Sequence, residues 1–321
     1  VTSHMRRHPL TQEWVVYAGH RQDRTFLPSA RENPLAPTLD PAHPTELPQG
    51  DYDVAVFENR FPTLALETQS PPAVDGVSVR PAFGACEVVV FSKDPLIGLS
   101  ALPADHVHLI LDVLSERTEA MRAIGMKYVL PFENRGREMG VTLHHPHAQI
   151  YGYGFLPQQQ ARALEGMREH YRHHGADLLS TLAIDERSRG TRLVATSGVM
   201  VAFAPSFARF PYEVWIAPTR PAAFLSDLSS DERCDMALVL RETLQRMDRL
   251  WDMPMPYLLT VNQAPTDGQA YPEWTVRIEI CPIRRARDKL KYLAGTELGA
   301  GVFAGDVLPE ASAQALRTVI L

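Results

Sequence analysis

Leu143-His144-His145-Pro146-His147-Ala148-Gln149-Ile150-Tyr151 places three histidines within four positions, ahead of a run that suits a β-strand. Side chains two residues apart share one face of a strand. If the strand extends back to His145, then His145, His147 and Gln149 project from the same face of the strand. The imidazole of His147 then lies between two polar neighbours, and we expect the chemistry of the protein here.

The segment just before this stretch supplies groups suited to an anion. Residues 132–140 read Phe-Glu-Asn-Arg-Gly-Arg-Glu-Met-Gly, with two glycines and several polar side chains. This composition predicts a loop in which backbone amides and the amide of Asn134 face a bound anion.

Three interpretations of the histidine run compete. Neutral imidazole is a common metal ligand, but the nearby chain offers no cysteine pair and no second spaced pair of histidines. Backbone-bonded histidines at a strand end would explain one histidine better than a His-Pro-His run. The third interpretation is that His147 is a nucleophile that forms a covalent phosphoramidate with a nucleotide. Gln149 favours it, because an amide can donate to a phosphate oxygen but cannot transfer a proton.

Composition excludes several other classes of protein. A chain of 321 residues predicts about two domains. Its formal net charge of -6 argues against a nucleic-acid partner, which would need a basic face. No apolar run approaches a membrane span and the first residues lack a signal-peptide layout, so we expect no membrane partner. Three scattered cysteines favour the reducing cytoplasm.

The first half of the chain predicts an alternation of strands and helices. Residues 87–91 are the clearest buried strand. Residues 128–132 predict a returning strand that leads to the loop before His147. Between them lies a helix with an apolar stripe, and a second helix is predicted around residues 158–174. The stripe comprises Val107, Ile110, Leu111, Leu114, Met121 and Ile124.

The second half repeats this order. Residues 212–217 correspond to the first strand, a capping box from Ser229 to Glu232 opens the helix, and residues 257–262 form the returning strand. Residues 273–279 then occupy the place of the His-Pro-His strand, with Arg277 and Glu279 at alternate positions and no nucleophile. We therefore predict an internal duplication, with halves at residues 6–185 and 186–321 and one live site.

These motifs resemble those of a known family. Residues 132–136, 139–140 and 145–149 resemble the active-site signature of the galactose-1-phosphate uridylyltransferases, a branch of the histidine-triad superfamily. Residues 8–24 resemble the family's opening strand and arginine pair, and residues 56–62 its nucleoside-contacting segment. Residues 289–297 resemble its sugar-contacting loop. Together these segments span nearly the whole chain.

The resemblance implies a fold and an activity. The fold is α+β, with two duplicated histidine-triad-like halves, each an antiparallel sheet with packed helices, paired into a homodimer. The activity is ping-pong transfer of UMP between a UDP-sugar and a sugar-1-phosphate through a uridylyl-histidine. The resemblance also implies a role for each site residue. His147 would be the nucleophile, with its tautomer set by the backbone carbonyl of His145. Phosphate contacts are implied for Asn134, Thr142 and Gln149, diphosphate contacts for Arg21 and Arg24, a nucleoside contact for Asn59, and sugar contacts for Lys291 and Glu297.

The chain departs from the family at its metal sites. Asn33-Pro34-Leu35-Ala36 stands where family members carry a Cys-x-x-Cys zinc pair, and Pro95 replaces a third ligand histidine. Of that site His145 alone remains, and one imidazole does not hold structural zinc. Asn262 and Arg277 stand where a second metal would have histidines. We therefore predict no zinc, no iron and no other cofactor.

Related activities fit the same residues. One is a nucleotidylyltransferase for another sugar-1-phosphate or with UTP as donor, which the lost metal ligands and Ala148, in place of the usual glycine, would suit. Another is a dinucleoside polyphosphate phosphorylase, which also uses a triad ending in glutamine and would prefer adenine. A nucleotide-binding protein without activity is disfavoured, because His147, Asn134 and Gln149 are all present.

Overall fold

The computed structural model describes residues 3–23 and 33–321. Within these ranges, nine strands form one antiparallel sheet in the order β3-β5-β7-β6-β11-β12-β10-β9-β8, and β2-β1-β4 form a smaller one. The strands are β1 (His4–Arg7), β2 (Trp14–Tyr17), β3 (Ala55–Glu58), β4 (Val79–Pro81), β5 (Gly84–Val90), β6 (Tyr128–Arg135), β7 (His147–Tyr153), β8 (Leu193–Ser197), β9 (Met200–Phe203), β10 (Val214–Pro218), β11 (Tyr257–Asn262), β12 (Arg277–Pro282), β13 (Arg284–Ala286) and β14 (Lys289–Leu290).

The helices begin and end where local chemistry dictates. Ser229 and Glu232 form the predicted capping box at the start of α4, and Asp177 accepts from the amide of Ser180 at the start of α3. Gly175 and Gly190 end α2 and α3 in the left-handed conformation. The helices of the described residues are α1 (Ala104–Ala123), α2 (Gln158–His174), α3 (Leu178–Arg189), α4 (Ser230–Arg249), α5 (Gly295–Ala300) and α6 (Pro309–Thr318).

The predicted duplication is present in the sheet. β6 and β11 pair at its centre, and from there the order β6-β7-β5 on one side repeats as β11-β12-β10 on the other. Each half inserts a long helix, α1 or α4, before its central strand, and the two helices pack together over one face. The prediction of an α+β fold with two similar halves is confirmed. The predicted boundary at residues 185 and 186 falls inside α3 and stays a prediction.

The opposite face of the sheet is covered differently in the two halves. In the second half α2 and α3 pack on it, burying Trp274 and Phe203. In the first half the small β2-β1-β4 sheet covers part of this face, with Met5 and Leu64 packed near Tyr151. The rest lies beneath residues 33–47, whose Leu35 and Leu47 are buried. No helix in the described ranges is long and apolar enough to span a membrane.

Two predicted strands start later than expected. β7 begins at His147, because Pro146 has no N–H for the ladder and the pairing with β5 ends at Val90 and His147. β12 begins at Arg277, because the amides of Trp274 and Val276 donate to the carbonyls of Tyr271 and Ala222 rather than to a strand. One residue of the predicted stripe, Ile124, lies beyond the end of α1 and is 51% exposed.

Candidate active site

β7 presents alternate side chains to opposite faces of the sheet. Ala148 and Ile150 are buried in the core beneath α1, whereas His147, Gln149 and Tyr151 line a cavity on the other face. The pairing is close: a Cβ on Gly84 of β5 would lie 2.3 Å from the carbonyl oxygen of Gly152. This contact lies near the Tyr153 end of β7, and at the other end of the same ladder His147 pairs with Val90 of β5.

A cavity of about 290 Å³ lies in front of His147. It brings together six of the predicted site residues: Arg21, Asn59, Asn134, Thr142, His147 and Gln149. Apolar walls come from Leu35, Phe57, Phe61, Val88 and Phe132. The cavity therefore combines polar groups around His147 with apolar and aromatic surface on which a base can stack. Arg24 lies outside the described residues.

His147 is held in a single tautomer. Its Nδ1 lies 2.7 Å from the backbone carbonyl oxygen of His145. A carbonyl oxygen only accepts, so Nδ1 carries the proton and Nε2 keeps its lone pair. Burial lowers the pKa of His147, outweighing the raising effect of this hydrogen bond. The imidazole is therefore neutral near pH 7, with a nucleophilic nitrogen.

His145 does not share the cavity face with His147, which corrects the expectation that His145, His147 and Gln149 project together. It precedes β7 and is 1% exposed. Its Nε2 lies 2.7 Å from the carbonyl oxygen of Ser92, and its Nδ1 lies 3.0 Å from Nδ2 of Asn33. Burial also lowers its pKa. Its backbone carbonyl accepts from Nδ1 of His147, while both of its ring nitrogens bond to groups that do not line this cavity.

The surroundings of His145 do not fit a metal ion. Both ring nitrogens already have hydrogen-bond partners, and Pro95 offers no ligand atom. Within the part of the chain that the structure describes, no group of three or more His, Cys, Asp or Glu is arranged to hold a metal ion. At the second position, Asn262 donates to Thr260 and Arg277 pairs with Glu279. The absence of bound zinc and iron stays a prediction.

Gln149 is oriented by Asn59. Nδ2 of Asn59 donates to Oε1 of Gln149 at 3.3 Å, while Oδ1 of Asn59 accepts from the amide of Phe61 at 2.9 Å. Because its oxygen is engaged, the amide nitrogen of Gln149 is the atom that can donate to a ligand beside His147.

Asn134 and Thr142 flank His147 at the two ends of a glycine-containing loop. Asn134 lies on β6, and the chain turns at Gly136 and Gly140, both with positive φ. A Cβ at Gly136 would lie 2.8 Å from Cβ of Pro256, so a side chain there would be both strained and crowded. The loop brings Thr142 back to the cavity wall.

Tyr151 also lines this cavity, although the sequence motifs assign it no role. Its hydroxyl accepts from Nη1 of Arg21 at 3.2 Å and contacts Oγ1 of Thr63 at 3.2 Å. This contact holds the Arg21 guanidinium at the cavity wall. The two-residue period from His147 through Gln149 to Tyr151 was the signal that could have identified it.

Lys291 and Glu297 are absent from the residues that line the cavity. Their side chains pair at 3.0 Å, and Nζ of Lys291 also donates to the carbonyl of Ala304. The ammonium of Lys291, with backbone amides, holds the pKa of Glu297 at about 2. Within this one chain the pair fastens residues 291–304, and its predicted contact with a sugar stays a prediction.

An adjoining cavity of about 570 Å³ reaches His147 from a second side. The two cavities share Asn134, Val141, Leu143 and His147 as a common wall. Arg135, Arg137 and Arg284 line the adjoining cavity. Glu133 and Glu138 also line it, and Arg284 pairs with Glu138 at 3.1 Å. His147 therefore stands between an apolar-walled chamber and one lined by groups of both charges.

A duplicated antiparallel α+β fold, in which a His-x-His-x-Gln sequence leads into a strand at a cavity, defines a protein of the histidine-triad class. The family models described as the N-terminal and C-terminal domains of galactose-1-phosphate uridyl transferase match residues 1–157 and 163–320. The chain belongs to the galactose-1-phosphate uridylyltransferase family.

Individual relatives agree with this assignment. The galactose-1-phosphate uridylyltransferase of Thermotoga maritima is 34% identical, over 98% of this chain and 97% of the relative. That of Streptomyces lividans is 32% identical, over 99% and 87%. A solved uridylyltransferase structure has a TM-score of 0.89 at 33% identity, covering 98% of this chain and 97% of its own. An Arabidopsis ADP-glucose phosphorylase with TM-score 0.75 and 24% identity, covering both chains fully, shares the fold.

Proposed function

We propose that this chain transfers UMP between a UDP-sugar and a sugar-1-phosphate through a uridylyl-His147 intermediate. The observation that carries the proposal is the 2.7 Å contact between Nδ1 of His147 and the carbonyl of His145, which leaves Nε2 as the nucleophile. The named activity of the relatives that match over the whole chain supports the choice of UMP and sugar phosphates.

The first half-reaction needs no proton donor. The lone pair on Nε2 of His147 forms a bond to the α-phosphorus, while the bond from this phosphorus to the bridging oxygen breaks. The sugar-1-phosphate leaves with that electron pair, and a phosphate oxygen is stable without protonation. Gln149 and Asn134 donate hydrogen bonds to the non-bridging oxygens, which gain charge as the phosphorus is attacked.

The second half-reaction reverses these bonds with a different sugar. A phosphate oxygen of the incoming sugar-1-phosphate attacks the phosphorus, and the electron pair of the P–N bond returns to Nε2 of His147. The apolar chamber would hold the uridine, with Phe57 or Phe61 against the base and Arg21 near the phosphates. The adjoining cavity, with Arg137 on its wall, would receive the sugar-1-phosphate.

We also propose that the protein works as a cytoplasmic homodimer without nucleic-acid or membrane partners. Tyr292 and Leu298, each 74% exposed, give the segment around α5 an apolar surface that a second subunit would cover. Free Cys86 and Cys281, both buried, suit a reducing compartment.

The test is the intact mass of the purified protein after incubation with UDP-glucose, UTP or ATP, followed by galactose-1-phosphate. We expect an acid-labile uridylyl adduct from UDP-glucose that galactose-1-phosphate removes. His147→Ala is expected to form none, whereas the matched control His173→Ala, at an exposed position on α2, is expected to react like the wild type. An adduct that only another sugar phosphate removes would show that the acceptor is not galactose-1-phosphate. An adduct formed only from UTP or ATP would show that the donor is not UDP-glucose. The absence of any adduct would refute the nucleophilic role.

A further inference from the structure

Asn33 contacts the ring of His145 from a distant part of the chain. Nδ2 of Asn33 lies 3.0 Å from Nδ1 of His145, and Nε2 of His145 lies 2.7 Å from the carbonyl of Ser92. Neither Asn33 nor Ser92 is among the residues that line the cavity in front of His147 or the adjoining one. Both ring nitrogens of a buried histidine are thus held by groups outside the site.

The partners determine the protonation of this ring. The Ser92 carbonyl can only accept, so Nε2 of His145 carries the proton. Nδ1 is then an acceptor and needs a donor, which the amide nitrogen of Asn33 supplies. The Asn33 amide is itself oriented, because its Oδ1 accepts from the backbone amide of Leu35 at 3.1 Å. The direction of each hydrogen bond in the chain from Leu35 to Ser92 is therefore determined.

This chain of hydrogen bonds ends at the nucleophile. The backbone carbonyl of His145 accepts from Nδ1 of His147, so the placement of residue 145 sets the tautomer and direction of the His147 ring. A ring clamped at both nitrogens fixes residue 145 more firmly than one clamped at a single nitrogen. We propose that Asn33 is a positioning residue for the histidine nucleophile, acting through His145 and performing by hydrogen bonding what a metal ligand would do at that ring. The effect on catalysis rests on the function proposed above.

The obvious alternative is that Asn33 merely fastens the segment over the cavity. Residues 33–47 are also held by hydrogen bonds that do not involve His145. The hydroxyl of buried Thr38, for example, donates to the carbonyl of Leu47. Thr38→Val is therefore a matched control that loosens the segment. Asn33→Ser is the test variant, because serine can still accept from the Leu35 amide but is too short to donate to His145.

The experiment combines single-turnover adduct formation from UDP-glucose with nitrogen NMR of the imidazole rings in the full-length protein. For Asn33→Ser we expect adduct formation to slow by about tenfold, with UDP-glucose affinity changed by less than about twofold. We expect His147 to lose its exclusive Nδ1–H tautomer in the same variant. Thr38→Val is expected to lower the melting temperature while keeping the wild-type rate and tautomer.

Three results would overturn the proposal. One is a wild-type rate and His147 tautomer in Asn33→Ser; another is an equal slowing in Thr38→Val; the third is a wild-type spectrum with Nδ1 of His145 protonated. The NMR measurements separate this inference from the proposed function. If the wild type formed no adduct, the tautomers of His145 and His147 would still show whether Asn33 positions the ring.

Discussion

Glu133 is the buried group whose replacement gives the clearest stability prediction. It lies on β6, is 3% exposed, and its Oε2 accepts from the hydroxyl of Tyr257 at 2.8 Å. Arg135 is close, but its guanidinium is bonded to both carboxylate oxygens of Asp248. Burial raises the pKa of Glu133 from 4.5 to about 7, against the lowering effects of Arg135 and Tyr257.

This shift makes folding favour the protonated carboxyl. Between pH 4.5 and about 7 the unfolded chain has released the Glu133 proton while the folded chain keeps it, so the free energy of unfolding falls as the pH rises. A pKa unit corresponds to about 1.4 kcal/mol, so above neutrality the ionised Glu133 costs about 3 kcal/mol. Glutamine has the same shape, stays neutral and can still accept from Tyr257.

We therefore expect Glu133→Gln to raise the free energy of unfolding by about 3 kcal/mol near pH 8 and to change it little near pH 5. Urea unfolding at fixed protein concentration across this range measures the difference. Glu165→Gln, at an exposed position on α2, is the control and is expected to show no such trend. A difference between Glu133→Gln and the wild type that stayed constant with pH would refute the reasoning.

Three further predictions concern the site and its loop. Because burial lowers the pKa of His147, the rate of adduct formation is expected to rise with pH to a plateau with an apparent pKa below 6.5. Rapid-quench kinetics would measure this rate, and an apparent pKa above 6.5 would contradict the assignment of His147 as the titrating nucleophile. Tyr151→Phe removes the acceptor of Arg21 and is expected to weaken UDP-glucose binding by about fivefold in a calorimetric titration; an unchanged affinity would count against the contact. Lys291→Met leaves the inward-facing Glu297 without its cation and is expected to speed proteolysis within residues 291–304. The double variant with Glu297→Gln is expected to recover part of the resistance to proteolysis. Equal cleavage of all variants would show that the ion pair does not hold residues 291–304 in place.

Much of the fold was predictable because its signals are local. The capping box at Ser229, the apolar stripe of α1 and the strand run of β5 each depend on residues within one or two turns. The pairing of β6 with β11 has no such signal. These strands lie more than a hundred residues apart. The sequence of a strand that is buried on both faces does not indicate which strands lie beside it in the sheet. The duplication could therefore be predicted, but the continuous sheet through both halves could not.

The residues of the candidate site show the same contrast between local and long-range signals. Asn134, His147 and Gln149 were predictable because they are close in sequence and their residue types match one chemistry. The contact between Asn33 and His145 joins positions 112 residues apart. The other partner of His145 is the backbone carbonyl of Ser92, which leaves no mark in a sequence because every residue has one. Groups that hold the ring of His145 were thus hidden, whereas the groups for which we propose phosphate contacts were visible.

The second half shows why one copy of the motif is a site and the other is not. Ile278 and Ile280 join the core beneath the helices as Ala148 and Ile150 do, so Arg277 and Glu279 face the side on which His147 opens to its cavity. There Arg277 and Glu279 pair at 2.7 Å, and the guanidinium lies between two tryptophan rings under α2 and α3. The same strand geometry therefore yields a closed ion pair beneath helices in one half, and a histidine at a cavity beside residues 33–47 in the other. What covers the strand, together with its side chains, decides which half opens to a cavity.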